Sequence, residues 1–232
     1  MIKDKAPVTL YVVTHNYTRF LRAALESVDA QSWRPNQLII IDNGSTDGVE
    51  EVLRDYTGRE DVTIIHNSNI GHVKAANQAL KLATEKYFMR LDGDDILMTW
   101  AIEYLVTAME AESDAAYCFG DYITINEGGS FLAYHKAITF KSPNSFLYCP
   151  KILNKLYYWC FFYNESNSDW NLHGAITLFR VSLLARLGGI SPLININDGN
   201  YLRDLFINYK LIYIEKFLFL YRRHFSNLTN FI

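Results

Sequence analysis

Short apolar runs and amphipathic segments alternate along the chain as far as residue 120. The apolar runs are rich in β-branched and aromatic side chains, which is typical of buried strands. Between them, apolar side chains recur every three or four positions, which is typical of helices that bury one face. The pattern predicts strands at residues 7–13, 37–42, 61–66, 87–91 and 115–119, and helices at residues 18–31, 48–56, 71–86 and 100–112.

Strands that alternate with helices form a mainly parallel sheet with helices on both faces, so we expect a Rossmann-like α/β fold. The alternation ends near residue 121. Beyond it the pattern predicts a hairpin within residues 122–140, helices at 181–187 and 198–209, and a strand at 211–215. Because no Pro-, Gly- or Ser-rich linker separates the two parts, we expect a single domain over residues 1–232, with a smaller, irregular second half.

Polar side chains follow three of the predicted strands at the point where each strand ends. Thr14, His15 and Asn16 follow the first strand, residues 42–47 follow the second, and residues 92–95 follow the fourth. In open α/β sheets, ligands bind beyond the carboxyl ends of the strands. The sequence therefore predicts one ligand-binding site at this edge of the sheet.

The segment Leu-Asp-Gly-Asp-Asp after the fourth strand brings three carboxylates together around one glycine. In an extended chain Asp92 and Asp94 project the same way, so both can face one ligand. Carboxylate oxygens suit Mg²⁺ or Mn²⁺, which bind through a few carboxylates together with substrate phosphates. Gly93 would leave room for a phosphate or a sugar, and Asp95 can cap the next turn or helix. Acids that are only solvated or capping are the alternative, but the position at the end of a buried strand favours a metal site.

Composition and charge exclude several other classes of protein. A net charge of −3 over 232 residues, without a basic stripe, argues against nucleic-acid binding. The three cysteines, Cys118, Cys149 and Cys160, predict neither a disulfide framework nor a metal knuckle, so a reducing, cytoplasmic compartment is expected. The N-terminus lacks the pattern of a signal peptide, and no window reaches the roughly 18–20 apolar residues that span a membrane.

Aromatic side chains make up 15% of the chain and are concentrated in residues 146–163 and 210–225. Packing in the core, or against a second copy in a homo-oligomer, is one explanation. The other is a surface for a lipid-linked partner or for peripheral contact with the inner face of a membrane. Of the two, the sequence favours packing.

Four segments together resemble the inverting nucleotide-sugar glycosyltransferases of family 2, which have the GT-A fold. They read THNYTRFLRAALESVDAQSW, IIIDNGSTDG, NIGHVKAANQALKLA and YFMRLDGDD, and their order and spacing fit that family. The resemblance is strong over residues 7–120 and continues more weakly through LFRVSLLARLGGI, NDGNYLRDL and YRRHFSNLT. It implies one GT-A domain in which residues 1–120 bind the nucleotide sugar and residues 121–232 bind the acceptor.

The resemblance also implies roles for individual residues in binding a nucleoside-diphosphate sugar. Asp42 would accept a hydrogen bond from the base, as from N3–H of the uracil in a UDP-sugar. Asp92 would face the ribose or the metal. Asp94 would bind a Mn²⁺ or Mg²⁺ ion that bridges the diphosphate, with His224 as a further candidate ligand. The residues implied to bind the nucleotide are Thr14, His15, Asn16, Tyr17, Asp42, Ser45, Asn69, Gly71, Asp92 and Gly93.

An inverting transfer also needs a general base for the acceptor hydroxyl. In the family this base is an Asp, usually preceded by Glu, at the start of a late helix after a Gly-Gly loop. Here the glycines at 188–189 are followed by Asn197 and Asp198, so Asp198 matches the base and Asn197 replaces the Glu. A turn or a helix cap at Asp198 is the alternative. His173 and Asp121 are candidate contacts on the acceptor side.

One departure from the family concerns a cation near the donor. The family often has an arginine in an Ala-Arg-Asn run, where this chain has Ala75, Ala76 and Asn77. Lys74 lies on a different face of the predicted helix and does not replace it directly. The identity of the nucleotide is therefore open.

These patterns favour a metal-dependent inverting glycosyltransferase that moves a sugar to a glycan or lipid-linked acceptor in polysaccharide biosynthesis. A non-catalytic nucleotide-sugar-binding protein is the alternative, because of the missing arginine and Asn197. A sugar-1-phosphate nucleotidyltransferase is disfavoured, since residues 14–20 lack the glycines of its phosphate-binding loop.

Overall fold

A computed structural model of the chain describes residues 5–137, 146–148, 157–163, 176–190 and 209–227. In chain order the elements are β1 (Lys5–Thr14), α1 (Thr18–Asp29), β2 (Arg34–Asp42), α2 (Glu50–Leu53), β3 (Val62–His66), α3 (His72–Leu82), β4 (Tyr87–Asp92), β5 (Ile96–Leu97), α4 (Ala101–Ala111), β6 (Tyr117–Asn126), β7 (Phe131–His135), β8 (Phe146–Tyr148), β9 (Tyr157–Tyr163), β10 (Leu178–Arg180), α5 (Val181–Arg186) and β11 (Leu211–Arg223). The helix predicted at 198–209 lies outside these residues, apart from its last position. Within them, no helix has the length and apolar character needed to cross a membrane.

The strands form one sheet in the order β3-β2-β1-β4-β10-β6-β11-β9-β8, with β5 added to β11 and β7 added to β6. β1 pairs in parallel with β2 and β4, and β2 pairs in parallel with β3. Beyond β4 the sheet is mixed, because β10 runs antiparallel between β4 and β6. The expected α/β sheet with flanking helices is confirmed, and strands from both halves of the chain share it.

The apolar side chains of β1 contribute to a core on each face of the sheet. Leu10 and Val12 pack with the buried sides of α1 and α4, whereas Tyr11 and Val13 pack with α3. The division follows from the strand itself, because successive side chains point to opposite faces. Burial on both faces explains the continuous apolar run and leaves the strand end as the place where polar groups meet solvent.

β11 is longer than its apolar pattern predicts. The expected strand covers residues 211–215, but pairing with β6 continues to Arg223. The register shifts between Ile214 and Phe219, and the charged residues Glu215 and Lys216 fall within this irregular stretch. The charged pair interrupts the pattern in the sequence without ending the strand, and the extension carries the chain to the edge described below.

α1 begins at Thr18, as predicted, and a neighbouring loop holds its first turn. Tyr17 occupies the N-cap position, and its side chain makes no capping hydrogen bond. The Asp47 carboxylate instead accepts hydrogen bonds from the N–H (2.9 Å) and the hydroxyl (2.6 Å) of Thr18. Asp47 therefore satisfies the start of α1, because its loop folds back over the first turn of that helix.

Candidate functional site

The predicted polar edge forms at the ends of three neighbouring strands. Thr14 pairs with Asp42 and Val13 pairs with Asp92, so the last residues of β1, β2 and β4 lie side by side. Adjacent strands lie about 4.8 Å apart, so these three strand ends span about 10 Å. The edge is wide enough for an extended ligand and not only for an ion.

Two loops on the β1 and β2 side of this edge hold each other in place. The N–H of Asn16 donates to the Ser45 hydroxyl (3.0 Å), and the side-chain oxygen of Asn16 accepts from the Thr46 N–H (2.8 Å). Asn16 has a φ of 60°, a conformation that asparagine tolerates better than most residues. His15 donates from Nδ1 to the carbonyl oxygen of Asn43 (3.1 Å). These contacts hold the loop after β1 against the loop after β2.

Asp42 is buried at the end of β2 and both of its oxygens are engaged. Oδ1 accepts from the Ser45 N–H (2.9 Å), and Oδ2 lies 3.3 Å from Nδ1 of His66. Glu50 places a second carboxylate oxygen 3.5 Å from the same ring nitrogen. Ligand atoms of Asp42, Glu50 and His66 all lie within 4.8 Å of one another, a spacing that could hold a metal ion, and no other trio of this kind occurs in the described residues.

Asn69 and Gly71 lie in the connection between β3 and α3, next to Asn43. The side-chain oxygen of Asn43 accepts from the N–H of Ile70 (3.0 Å), and its amide nitrogen lies 3.4 Å from the side-chain oxygen of Asn69. Gly71 immediately precedes α3. The first turn of that helix therefore starts close to the end of β2.

The acidic turn, residues 92–95, packs closely against β1. Gly93 donates its N–H to the carbonyl oxygen of Val13 (3.0 Å). A Cβ atom at Gly93 would lie 3.0 Å from Cβ of Thr14 and 3.1 Å from the Val13 oxygen. The close approach of two backbones thus accounts for the glycine, and the space it leaves for a ligand stays a prediction.

Asp92 and Asp94 face different partners. Oδ1 of Asp92 lies 3.1 Å from Nε of Arg90, whereas Oδ2 of Asp94 lies 2.9 Å from Nε2 of His224. In the described residues, the ligand atoms of Asp92, Asp94 and His224 do not all lie within 4.8 Å of one another. The two ligand atoms that already face each other are those of Asp94 and His224.

Residues 222–227, which we call the C-terminal segment, fold over Asp94. Asn227 donates from Nδ2 to Oδ2 of Asp94 (3.1 Å) and to the Arg222 carbonyl oxygen (3.0 Å). Its Oδ1 accepts from the N–H of His224 (2.6 Å). Asp94, His224 and Asn227 are 5%, 7% and 3% exposed, so they form a packed cluster and not a solvated one.

Two further contacts attach the C-terminal segment to the edge. The Tyr17 hydroxyl donates to the carbonyl oxygen of Ser226 (3.0 Å). Arg222 donates from its backbone N–H to Oδ1 of Asp95 (2.9 Å) and from Nε to the carbonyl oxygen of Asp94 (3.0 Å). Asp95 therefore anchors the segment and does not cap a helix.

Burial and the closeness of like charges raise the pKa values of Asp94 and Asp95. Burial raises the pKa of Asp94, and the hydrogen bond with His224 offsets this only in part. Burial also raises the pKa of Asp95 well above its usual range, and repulsion from Asp94 and Asp92 adds to the effect. Oδ2 of Asp95 is buried without a hydrogen-bond partner. A divalent ion beside Asp94 would favour the ionised carboxylates, because its charge offsets both causes.

The Asp94–His224 pair fits a divalent ion. Adjacent ligands of an octahedral ion with bonds of about 2.1 Å lie about 3 Å apart. Oδ2 of Asp94 and Nε2 of His224 are separated by 2.9 Å, and both side chains are buried. The ring nitrogen and the carboxylate now share a hydrogen atom, so an ion that bound both would displace a proton.

Of the residues predicted on the acceptor side, the structure describes only Asp121. Asp198 and His173 lie outside the described residues. Asp121 lies on β6, where its carboxylate accepts from the Tyr213 hydroxyl (2.6 Å) and from the Ala137 N–H (2.9 Å). Burial raises the pKa of Asp121, and the hydrogen bond from Tyr213 opposes that rise. Its contact with an acceptor stays a prediction.

Sequence reasoning missed Arg90, His66 and Asn227. Arg90 is a lone cation in the apolar run FMRLD, and such a cation could have been recognised as a partner for the acids that follow. His66 ends β3 next to Asp42, which the predicted strand order could have suggested. Nothing in the sequence shows that the Asn227 side chain turns back to His224.

Comparison with known proteins identifies related chains. The family model described as Glycosyl transferase family 2 matches residues 9–188. The uncharacterized glycosyltransferase YibD of Escherichia coli is 31% identical over 124 residues, which cover 53% of this chain and 36% of that protein.

Solved structures share the fold at low sequence identity. Staphylococcus aureus TarS 1–349, in complex with UDP-GlcNAc, superposes with a TM-score of 0.70 and 14% identity, covering 96% of this chain and 60% of that chain. The mannosyltransferase PcManGT of Pyrobaculum calidifontis, in complex with GDP-Man and Mn²⁺, gives a TM-score of 0.67 and 16% identity, covering 97% and 59%. These similarities confirm the GT-A fold. The chain spans about a third of the E. coli protein and about three fifths of the two solved chains.

Proposed function

Because the chain belongs to glycosyl transferase family 2, we propose that it moves a sugar from a nucleoside-diphosphate sugar to a hydroxyl group of an acceptor. The observation that carries the proposal is the buried Asp94–His224 pair, which lies at the edge where β1, β2 and β4 end. Two facing ligand atoms beside an extended polar edge suit a diphosphate that binds together with a cation.

The proposed donor lies along the strand ends, with its base toward β2. Asp42 would accept from an N–H group of the base, between the loops at residues 14–17 and 43–47. A carboxylate can accept from N3–H of uracil or from N1–H of guanine. We propose a UDP-sugar, and the TarS complex with UDP-GlcNAc supports that choice, while the PcManGT complex with GDP-Man makes a GDP-sugar the competitor to test.

Asp94 and His224 are the proposed ligands of a Mn²⁺ or Mg²⁺ ion. When bound there, such an ion would stabilise the negative charge that develops on the departing diphosphate. The protein's own contribution is to keep the two ligands buried and facing each other. Asn227 serves this purpose, since it contacts both the Asp94 carboxylate and the backbone of His224.

The proposed reaction is a single displacement with inversion. The acceptor oxygen forms a bond to the anomeric carbon while the bond between that carbon and the diphosphate oxygen breaks, and the nucleoside diphosphate leaves. The proton of the acceptor hydroxyl passes to a base, for which we propose Asp198. General-base catalysis contributes about 10²- to 10⁴-fold in rate.

Ile190, the last described residue before Asp198 in the sequence, is held by two hydrogen bonds to α3. Asn77 on α3 accepts from the Ile190 N–H (2.8 Å) and donates to the Ile190 carbonyl oxygen (2.8 Å). These bonds hold the segment after α5 beside α3, on the face of the sheet where the Asp92 side chain lies.

We propose a glycan or a lipid-linked sugar as the acceptor, as in polysaccharide synthesis. Phe131, Leu132 and Tyr134 of β7 are exposed apolar side chains. Such a patch suits a lipid-linked acceptor or the inner face of a membrane in the cytoplasm, and contact with a second copy is the competing use.

Donor hydrolysis tests the proposed function. The protein is incubated with Mn²⁺ and either UDP-GlcNAc or GDP-mannose, and release of the free nucleoside diphosphate is measured. We expect slow hydrolysis of one donor, lost in EDTA and reduced at least about 10²-fold by Asp94→Asn. The matched control is Asp55→Asn, which removes a surface carboxylate paired with Arg22. If a donor bound without any turnover, the result would contradict the proposal that the protein is an enzyme. It would favour a nucleotide-sugar-binding protein instead.

A further inference from the structure

Arg90 is a cation within the apolar strand β4, and it contacts two residues at the candidate site. Its Nε lies 3.1 Å from Oδ1 of Asp92, and their side chains are 11% and 23% exposed. Its Nη1 donates to Nε2 of His72 (2.6 Å), the first residue of α3. A guanidinium can only donate, so the His72 ring accepts through Nε2 and carries its hydrogen on Nδ1. An enclosed cation needs such partners, because burial removes most of its hydration.

Arg90 lies on β4, two strands away from β2, where the base of the proposed donor would bind. β4 lies between β1 and β10, and β2 lies on the far side of β1. Asp42 at the end of β2 is thus two strands, or about 10 Å, from Asp92 at the end of β4. A donor whose base contacts Asp42 would pass its diphosphate over the end of β1 and bring its sugar to β4. Asp92 is then the carboxylate at the sugar end, and Arg90 lies directly behind it in the strand.

The backbone of Arg90 is also where the second half of the chain returns to the sheet. Its carbonyl oxygen accepts from the N–H of Ile176 (3.0 Å), just before β10. Ile176 has a φ of 61°, which a β-branched residue rarely adopts. Arg90 therefore links β4, α3 and the chain entering β10 at one point, and these are the elements that border the sugar end.

We propose that Arg90 is a positioning residue that holds Asp92 so that its carboxylate accepts hydrogen bonds from hydroxyl groups of the transferred sugar. This inference rests on the proposed function. The two groups form an ion pair, with Nε 3.1 Å from Oδ1, and the Asp92 carboxylate keeps lone pairs that can accept from the ligand. His72 fixes the other end of the guanidinium, so Arg90 acts as a brace between α3 and Asp92.

The rival assignment is a direct contact between Arg90 and the diphosphate. Ala76, where the family often has arginine, is buried in the core under α3. Arg90 is a cation close to that helix and could take over such a contact. The two assignments differ in which part of the donor loses affinity when Arg90 is changed.

Calorimetry with and without the sugar separates the two assignments. Binding of UDP and UDP-GlcNAc, and of GDP and GDP-mannose, is measured with Mn²⁺ for the parent protein, Arg90→Lys, Arg90→Gln, Asp92→Asn and the double variant Arg90→Gln/Asp92→Asn. We expect Arg90→Gln to weaken binding of the sugar nucleotide about tenfold. We expect affinity for the nucleoside diphosphate alone to stay within about twofold of the parent protein.

The double variant tests whether Arg90 acts through Asp92. If it does, the double variant loses no more affinity than Asp92→Asn alone, since the two changes remove one shared interaction. Arg90→Lys keeps the charge but cannot reach Asp92 and His72 together, so we expect an intermediate loss. Arg22→Gln, which removes a surface ion pair with Asp55, is the matched control and should change nothing. Arg90→Lys and Asp92→Asn carry the test if Arg90→Gln does not fold.

Each outcome bears on a different statement. Equal losses for the nucleoside diphosphate and the sugar nucleotide would overturn the inference in favour of a phosphate contact. Additive losses in the double variant would overturn the positioning role. Unchanged affinities in Arg90→Gln and Arg90→Lys, with a parent protein that binds its donor, would overturn this inference alone. Failure of the parent protein to bind either sugar nucleotide would overturn the proposed function and this inference with it.

Discussion

At the scale of single residues, the site depends on one carboxylate oxygen with two neighbours. Oδ2 of Asp94 lies 2.9 Å from Nε2 of His224 and 3.1 Å from Nδ2 of Asn227. The sequence could suggest Asp94 and His224, because each lies in a segment whose chemistry is recognisable. It could not suggest Asn227, because the direction of that side chain depends on the turn in which the Asn227 N–H donates to the His224 carbonyl oxygen (3.2 Å).

Replacing Asn227 tests whether it holds the proposed metal ligands, Asp94 and His224, in place. We expect Asn227→Ala to weaken Mn²⁺ binding about 10- to 100-fold, the usual cost of removing a group that orients a ligand. Electron paramagnetic resonance of free Mn²⁺ measures the affinity. Asn36→Ala is the control, since Asn36 donates to Glu85 away from the strand ends (2.9 Å). An unchanged Mn²⁺ affinity in Asn227→Ala would contradict the assigned role.

A second prediction concerns the effect of Asp95 on the stability of the metal-free protein. Its pKa is raised in the folded protein, so as pH rises above about 4 the unfolded chain loses its proton first. The unfolded state is thereby favoured, and Asp95 lowers the stability of the metal-free protein as pH rises. We expect Asp95→Asn to increase the free energy of unfolding of the metal-free protein at pH 7, because the amide is neutral in both the folded and the unfolded state.

Urea unfolding in EDTA at several pH values checks this expectation. The gain from Asp95→Asn should shrink as pH falls toward 4, because the carboxylic acid is then neutral in both states. A constant difference between the variant and the parent protein across this range would mean that the Asp95 charge is not the cause.

At the scale of elements, the regular part of the fold could be predicted and the irregular part could not. β1, β2, β3 and β4 lie where their apolar runs predict, because strands buried on both faces leave a continuous signal. β5 has two residues and forms by pairing with β11, so it has no periodicity to detect. β11 exceeds its prediction because its length depends on β6, a partner far away in the sequence.

Replacing Gly120 on β6 tests how closely the irregular part of β11 approaches β6. A Cβ atom there would lie 2.7 Å from Cδ1 of Leu218 and 2.8 Å from the carbonyl oxygen of Lys216. The second contact is with backbone, which cannot move without disturbing the strand. We expect Gly120→Ala to lower the free energy of unfolding by about 1–3 kcal/mol or more. Thermal or urea unfolding measures it.

The control for this change is Gly128→Ala in the same hairpin. A Cβ atom at Gly128 would meet only the side-chain oxygen of Asn126, at 3.5 Å, which is an ordinary contact. We expect a near-neutral effect there. Equal stabilities of the two variants would show that β11 does not approach Gly120 as closely as described.

At the scale of the whole molecule, the site is assembled from distant parts of one chain. β1, β2 and β4 supply its floor through the parallel register, which the alternation of strands and helices already implied. The C-terminal segment reaches the same place only because β11 runs parallel to β6 and delivers its end to Asp94. Sequence reasoning could place Asp92 and Asp94 at the edge, but it expected both to face one ion. The pairing of Asp92 with Arg90 depends on side-chain packing beneath α3.

Manganese anomalous diffraction would locate the ion that we propose is bound by Asp94 and His224. Crystals of the full chain would be soaked with Mn²⁺ and the nucleoside diphosphate that binds. We expect an anomalous peak about 2.2 Å from both Oδ2 of Asp94 and Nε2 of His224, with a diphosphate oxygen on the same ion. A peak between Asp42, Glu50 and His66 alone, or no peak near Asp94 with the diphosphate bound, would show that Asp94 and His224 do not bind the ion.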